Sequence, residues 1–179
     1  MEAIRNVGWI RSLNSLKSGV ALALLACLFW STPSIVAPDL ATTPAQDNEE
    51  WIAAWVDDLK NSSERWIQID LSEQLLTAWE GDVAVYSILI STGRDGETTP
   101  TGVFDVQAKY LVARMQGETY DIPDVPFVMY YYGNYAIHGA YWHESFGYPV
   151  SSGCINVAVD HAAWLFDWSA LGTPVVVQY

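Results

Sequence analysis

Cysteine is scarce in this chain of 179 residues: there are two, and Cys27 lies in an N-terminal apolar stretch. Cys154 therefore has no thiol partner beyond residue 37, which excludes a disulfide framework there. Such a thiol is a buried small hydrophobe, a metal ligand or a nucleophile. Histidine is equally sparse, at three. The set His138, His143, Cys154 and His161 fits no common zinc spacing, so neither a metal nor a cofactor is expected. Cations are few as well. Beyond residue 37, five Lys and Arg face twenty Asp and Glu, a net charge of −15. A surface this acidic repels nucleic acid and anionic membranes, so no nucleic-acid partner is expected. No internal repeat is visible.

What is present is apolar. A hydrophobic content of 51 % excludes global disorder, and the length accommodates one ordinary domain with a leader. Arg5, Arg11 and Lys17 precede the apolar run Gly19–Trp30, which continues through Ser31–Ser34 into Ile35–Ala37. This is the pattern of an export signal over residues 1–37. Left uncleaved, residues 19–37 are near the length of a membrane tether. Leu24–Cys27 resembles a lipoprotein box, although Leu25 and the apolar residues after Cys27 argue against it. Each version places the remainder outside the cytoplasm, in the cell envelope, secreted or held at the outer face of the membrane.

Residues 38–63 read as a tether with a short helix. Pro33, Pro38 and Pro44 mark an extended spacer over residues 31–48. Trp51, Ile52, Trp55, Val56 and Leu59 then recur at helical spacing over Glu49–Lys60, with Asn48 as the expected cap. From Arg65 the period changes to two. Ile67, Ile69 and Leu71 alternate with polar or aromatic residues, and two-residue turns at Gly81-Asp82 and Gly133-Asn134 predict hairpins. The second hairpin delivers His138 at a strand end, where Gly139 lets the chain turn away. A helix is expected over Val159–Ala170 and a last strand at Val175–Val177. Residues 64–179 thus read as a mainly β domain, an antiparallel sandwich or open barrel with one late helix.

His138 and the run Ser151-Ser152-Gly153-Cys154 carry the chemistry. A strand-end imidazole and a loop thiol in one small domain are the components of a base and nucleophile pair. Gly153 permits tight backbone turning, so the N–H groups near Ser152, Gly153 and Cys154 can converge on an oxyanion. The plain alternative is a buried core thiol beside a hydrogen-bonded strand histidine. Tyr141, Trp142, His143 and Tyr148 lie between base and nucleophile and are read, with Ser151 and Asn156, as substrate-facing. His143 stands as a second imidazole for the site.

The motif Ile137-His138-Gly139-Ala140 followed by Gly147-Tyr148-Pro149-Val150-Ser151-Ser152-Gly153-Cys154-Ile155-Asn156 resembles the signature of the L,D-transpeptidase family, whose domain is also called YkuD-like. Upstream, Ile67–Leu71, Leu75–Trp79, Ser91-Thr92-Gly93 and Thr99-Pro100-Thr101-Gly102-Val103-Phe104 fall in that family's order, so the resemblance covers about residues 64 to 179. It implies that Cys154 is the nucleophile, His138 the base and the Gly139 carbonyl its orienter. It also implies a peptidoglycan stem peptide as donor, cut before a terminal D-alanine, with a side-chain amine as acceptor. Hydrolysis of the same acyl-enzyme, as in an L,D-carboxypeptidase, and a catalytically silent wall-binding module are the competing readings. Many members carry histidine where this chain has Ser152.

Overall fold

The computed structural model describes residues 44–117 and 120–179; the expected signal, tether and Cys27 over residues 1–37 lie outside them. The chain order is α1 (Pro44–Lys60), β1 (Arg65–Asp70), β2 (Leu75–Glu80), β3 (Val83–Leu89), β4 (Gly102–Asp105), β5 (Ala108–Gln116), β6 (Asp121–Tyr132), β7 (Tyr135–Gly139), β8 (Ile155–Val157), α2 (Val159–Trp168) and β9 (Pro174–Gln178). Helix α1 starts earlier than the Asn48 cap expected for it. Pro44 does not stop it, because the first turn of a helix has no use for the missing N–H.

Two sheets result, ordered β3-β2-β1-β9-β4 and β5-β6-β7-β8. Neighbours are antiparallel except β1 with β9 and β7 with β8, so each sheet contains one parallel pair. The pairing is mainly antiparallel, as expected, with these two places as the exceptions. Both parallel pairs join segments distant in sequence, which local hairpin chemistry cannot announce.

Alternation sorts the side chains into cores. On β1 and β9, Ile67, Ile69, Val175 and Val177 enter the main core between the sheets, which also holds Leu76, Met129, Tyr131, Ile137, Ile155 and Leu165 of α2. Trp66 and Val176 point the other way, onto Ile52 and Leu59 of α1. The run Val175-Val176-Val177 is therefore buried on both faces, as expected of a central strand with a parallel neighbour. Trp66 stacks on Trp79 at 5.3 Å between centroids and donates its indole N–H to the Gly81 carbonyl at 2.9 Å. Removing Trp66 would forfeit about 3–5 kcal/mol, the usual range for a buried aromatic.

Tyr131 is fully buried, and its hydroxyl has no protein partner among the described residues. An unpaired buried hydroxyl costs about 1–3 kcal/mol. Tyr131→Phe is expected to leave thermal stability unchanged or raise it. A loss above about 1 kcal/mol by denaturant titration would show that the hydroxyl is paired after all.

Candidate active site

Parity along β7 and β8 determines which side chains meet. Ile137, Ile155 and Val157 enter the main core, so His138 and Asn156, each one residue away, face the opposite side of the sheet. Ala136 shares that side with the cluster Met115, Val125 and Val128, against which Cys154 packs. The parallel register sets His138 beside Asn156, and Cys154 lies one residue before β8 begins. A cleft of about 180 Å³ opens at this place, lined by His138, Cys154, Asn156, Ser151, Ser152 and Trp142 together with Arg94, Met115, Tyr120, Ile122 and Val150.

The turn carrying the thiol is built from backbone contacts. Gly153 has φ +107°, and a Cβ there would lie 2.7 Å from the Tyr135 ring, so only glycine fits before Cys154. Ser151 Oγ donates to the Cys154 carbonyl at 2.5 Å and accepts the Gly153 N–H at 3.1 Å. Thr99 Oγ1 donates to the Gly153 carbonyl at 2.8 Å and accepts the Gly93 N–H at 2.9 Å. The Ser151 N–H donates to Thr92 O and the Arg94 N–H to Ser151 O, each at 3.0 Å. Segments 92–99 and 151–153 are thereby laced together.

His138 is 3 % exposed, and its Nδ1 lies 3.1 Å from the Gly139 carbonyl. A carbonyl only accepts, so Nδ1 carries the proton and Nε2 keeps a bare lone pair. Burial lowers the His138 pKa to about 4, against the opposing pull of the Gly139 bond, and His143 adds a smaller repulsion. Cys154 is half-buried, and desolvation pushes its thiol up while a backbone contact with Ala136 opposes this. Both groups rest neutral at pH 7.

Asn156 is buried, and its amide lies 2.8 Å from His143 Nε2. His143 Nδ1 accepts the Ser145 N–H at 3.1 Å. The atom placed there is Asn156 Nδ2; because a neutral ring that accepts at Nδ1 bears its proton on Nε2, a hydrogen bond requires the amide turned so that its oxygen faces the ring. Burial lowers the His143 pKa, with Glu144 opposing. The ring of Trp142 lies 5.7 Å from that of His138.

Residues 64–177 match the family described as the L,D-transpeptidase catalytic domain, YkuD. This chain belongs to the L,D-transpeptidase family. L,D-transpeptidase 1 of Mycobacterium tuberculosis is 36 % identical over an alignment of 100 positions that covers 49 % of this chain and 39 % of that protein. An L,D-transpeptidase structure from Mycobacterium smegmatis aligns with TM-score 0.61 and 28 % identity, over 65 % of this chain and 59 % of the other. That from Xylanimonas cellulosilytica aligns at 0.58 and 30 %, over 65 % and 61 %. The chain thus spans less than two thirds of each of these relatives. The family is one of enzymes acting on the peptidoglycan cell wall, and the two-sheet fold is shared with its solved members.

Within this family domain, several of the expected site residues are placed otherwise than the sequence suggested. Gly139 ends β7, where the chain leaves the sheet, and a side chain there would meet Pro126 Cγ at 2.9 Å. The Gly153 N–H is already engaged by Ser151. Tyr148 is 69 % exposed and lies off the cleft, while Tyr141 is exposed and donates its hydroxyl to Pro123 O at 2.7 Å. His161 sits apart from the cleft, with Nδ1 2.6 Å from the Tyr86 hydroxyl. Arg94, Met115, Tyr120, Ile122 and Val150 were not anticipated. The alternation of apolar residues around Met115 and Ile122 was the available signal for a strand there, and Pro123 and Pro126 mask it.

A neutral buried His138 makes stability depend on pH. Between its ordinary value of 6.5 and about 4, the unfolded chain binds the proton and the folded one does not. Stability from this group is therefore full above pH 6.5 and falls as pH drops to about 4, by about 3 kcal/mol. His138→Gln is expected to flatten that part of the stability-against-pH curve measured by urea unfolding. Equal slopes in both proteins would contradict the neutral buried imidazole.

Proposed function

We propose that the protein is a cysteine-dependent peptidoglycan L,D-transpeptidase that works through a Cys154 thioester. The observation supporting this most directly is the Gly139 carbonyl on His138 Nδ1, because it leaves Nε2 as a base in the cleft that also holds the thiol. The family acts on peptidoglycan stem peptides, and a stem ending in D-alanine is the donor that this reading assigns.

His138 Nε2 takes the proton from Cys154 as Sγ attacks the carbonyl that precedes the terminal D-alanine. With a thiol pushed up and an imidazole pushed down, the transfer belongs to the attack itself and not to a resting ion pair. The N–H groups of Ser152 and Cys154 receive the developing oxyanion, and that of Gly153 stays on Ser151. As the C–N bond breaks, His138 passes the proton to the departing D-alanine amine. A side-chain amine of a second stem then attacks the thioester, the C–S bond breaks, and the amine's proton returns through His138 to sulfur. Trp142 and Asn156 face the donor stem. The domain works outside the cytoplasm, with residues 1–37 as export signal or membrane tether and 38–63 as the link to the catalytic domain at 64–179.

Cys154→Ala is expected to abolish turnover of a tetrapeptide stem without lowering the melting temperature, and His138→Ala to slow it about 10²- to 10⁴-fold. Parallel loss of stability and activity in Cys154→Ala would support a packing role for the thiol. Mass analysis of the products separates cross-linked dimer from hydrolysed tripeptide, and no product at all from wild type would favour a silent wall-binding module.

Ser152 occupies the position where histidine is common. If it acts through its backbone N–H, Ser152→Ala keeps kcat/KM within about tenfold, or about 1.4 kcal/mol. A drop of three orders of magnitude would place the hydroxyl in the chemistry.

A further inference from the structure

We infer that Arg94 recognises a carboxylate of the donor stem and so makes the site selective for stems with a free acid over those carrying a carboxamide. This inference rests on the transpeptidase reading of the cleft. Among the residues lining that cleft, Arg94 is the sole side chain with a fixed charge, since His138 is held neutral by burial. A positive charge in the cleft is notable in a chain with 21 acidic and 8 basic residues.

The root of Arg94 is fixed close to the nucleophile. Its backbone N–H donates to Ser151 O at 3.0 Å, and its carbonyl accepts the Glu97 N–H at 3.0 Å. Cys154 lies three residues beyond Ser151 on a turn whose backbone is held by Ser151 and Thr99. One end of the guanidinium, Nη2, lies 2.5 Å from Glu97 Oε2, and Glu97 does not line the cleft. This pairing limits the rotamers of a long side chain. Among the described residues Glu97 is the acid paired with Arg94; the contact is through Nη2 and lacks hydrogen-bond geometry, so it does not use up the five N–H donors of the planar fork. The Arg94 side chain is 51 % exposed, so the remaining donors are accessible to a ligand.

A carboxylate fits a planar fork better than a neutral amide does, because both of its oxygens accept while half of an amide donates. The acidic surface opposes an anionic ligand only at long range. At physiological ionic strength that repulsion is screened beyond about 8 Å, whereas a contact pair is screened far less. The local cation therefore decides the preference once the stem is in the cleft. Glu97 holds Arg94 in register and is a positioning residue.

The test measures kcat/KM for wild type and Arg94→Gln with donor stems bearing a carboxylate or a carboxamide, varied separately at the second residue, the third residue and the terminal D-alanine. Wild type is expected to prefer the acid at least tenfold at one of these positions, which identifies the carboxylate read. Arg94→Gln should lose that preference at the same position, with kcat/KM for the acid stem falling at least tenfold more than for the amide stem, and Arg94→Lys should restore part of it. Equal rates for acid and amide at every position in wild type would overturn the inference without touching the transpeptidase reading, and this arm needs no variant to fold. Absence of turnover with every stem would overturn that reading, and this inference with it.

Discussion

The parallel pairing of β7 with β8 is the constraint on which the site depends. Because side chains alternate along a strand, burying Ile137, Ile155 and Val157 in the main core forces His138, Asn156 and Cys154 to the opposite face. A slip of one residue would send the imidazole into the core and an isoleucine into the cleft. The site's accuracy therefore derives from apolar burial on the other side of the same sheet. The strand β8 is only three residues long, and it is secured at its edge by the reciprocal pair of hydrogen bonds between Ser91 and Asn156, at 2.9 and 2.8 Å.

Burial governs the electrostatics of the pair. It disfavours charge on both members, lowering the imidazole and raising the thiol. The histidine is thus kept neutral with a defined tautomer, at the cost of a low affinity for a proton. The site trades resting thiolate for orientation: the Gly139 carbonyl fixes the ring, Trp142 covers it, and His143 holds the neighbouring Asn156 amide. His143 was anticipated as a second imidazole for the site. Its position beside Asn156, with Nδ1 occupied by Ser145, makes it part of the wall that supports the cleft.

Features set by short-range chemistry were legible in the sequence. The turns Gly81-Asp82 and Gly133-Asn134, the period-two pattern of β1, helix α2 and the strand at Val175–Val177 follow from local residues alone. That His138 and Cys154 line one cleft agrees with the strand end, the glycine turn and the family resemblance from which they were singled out. The β5–β6 hairpin was not. Pro123 and Pro126 lie inside β6, where Asp124 and Phe127 adopt positive φ, and the register shifts opposite Ala113 and Met115. These irregularities erase the alternation by which a strand is recognised. Without that hairpin, Met115, Tyr120 and Ile122 could not be brought to the cleft. Arg94 was hidden for a different reason, since a lone exposed cation in an acidic chain acquires meaning only from what it faces.

The step on which the proposed function stands is acylation of Cys154 by a stem peptide with loss of D-alanine. It is tested most directly by mixing the protein with a tetrapeptide-stem donor in the absence of acceptor, quenching in acid and mapping the adduct by mass spectrometry. An acid-stable adduct equal in mass to the donor acyl group is expected, located on the peptide that contains Cys154 and discharged when an acceptor amine is added before the quench. Release of D-alanine with no adduct on Cys154, or an adduct on another residue, would contradict it.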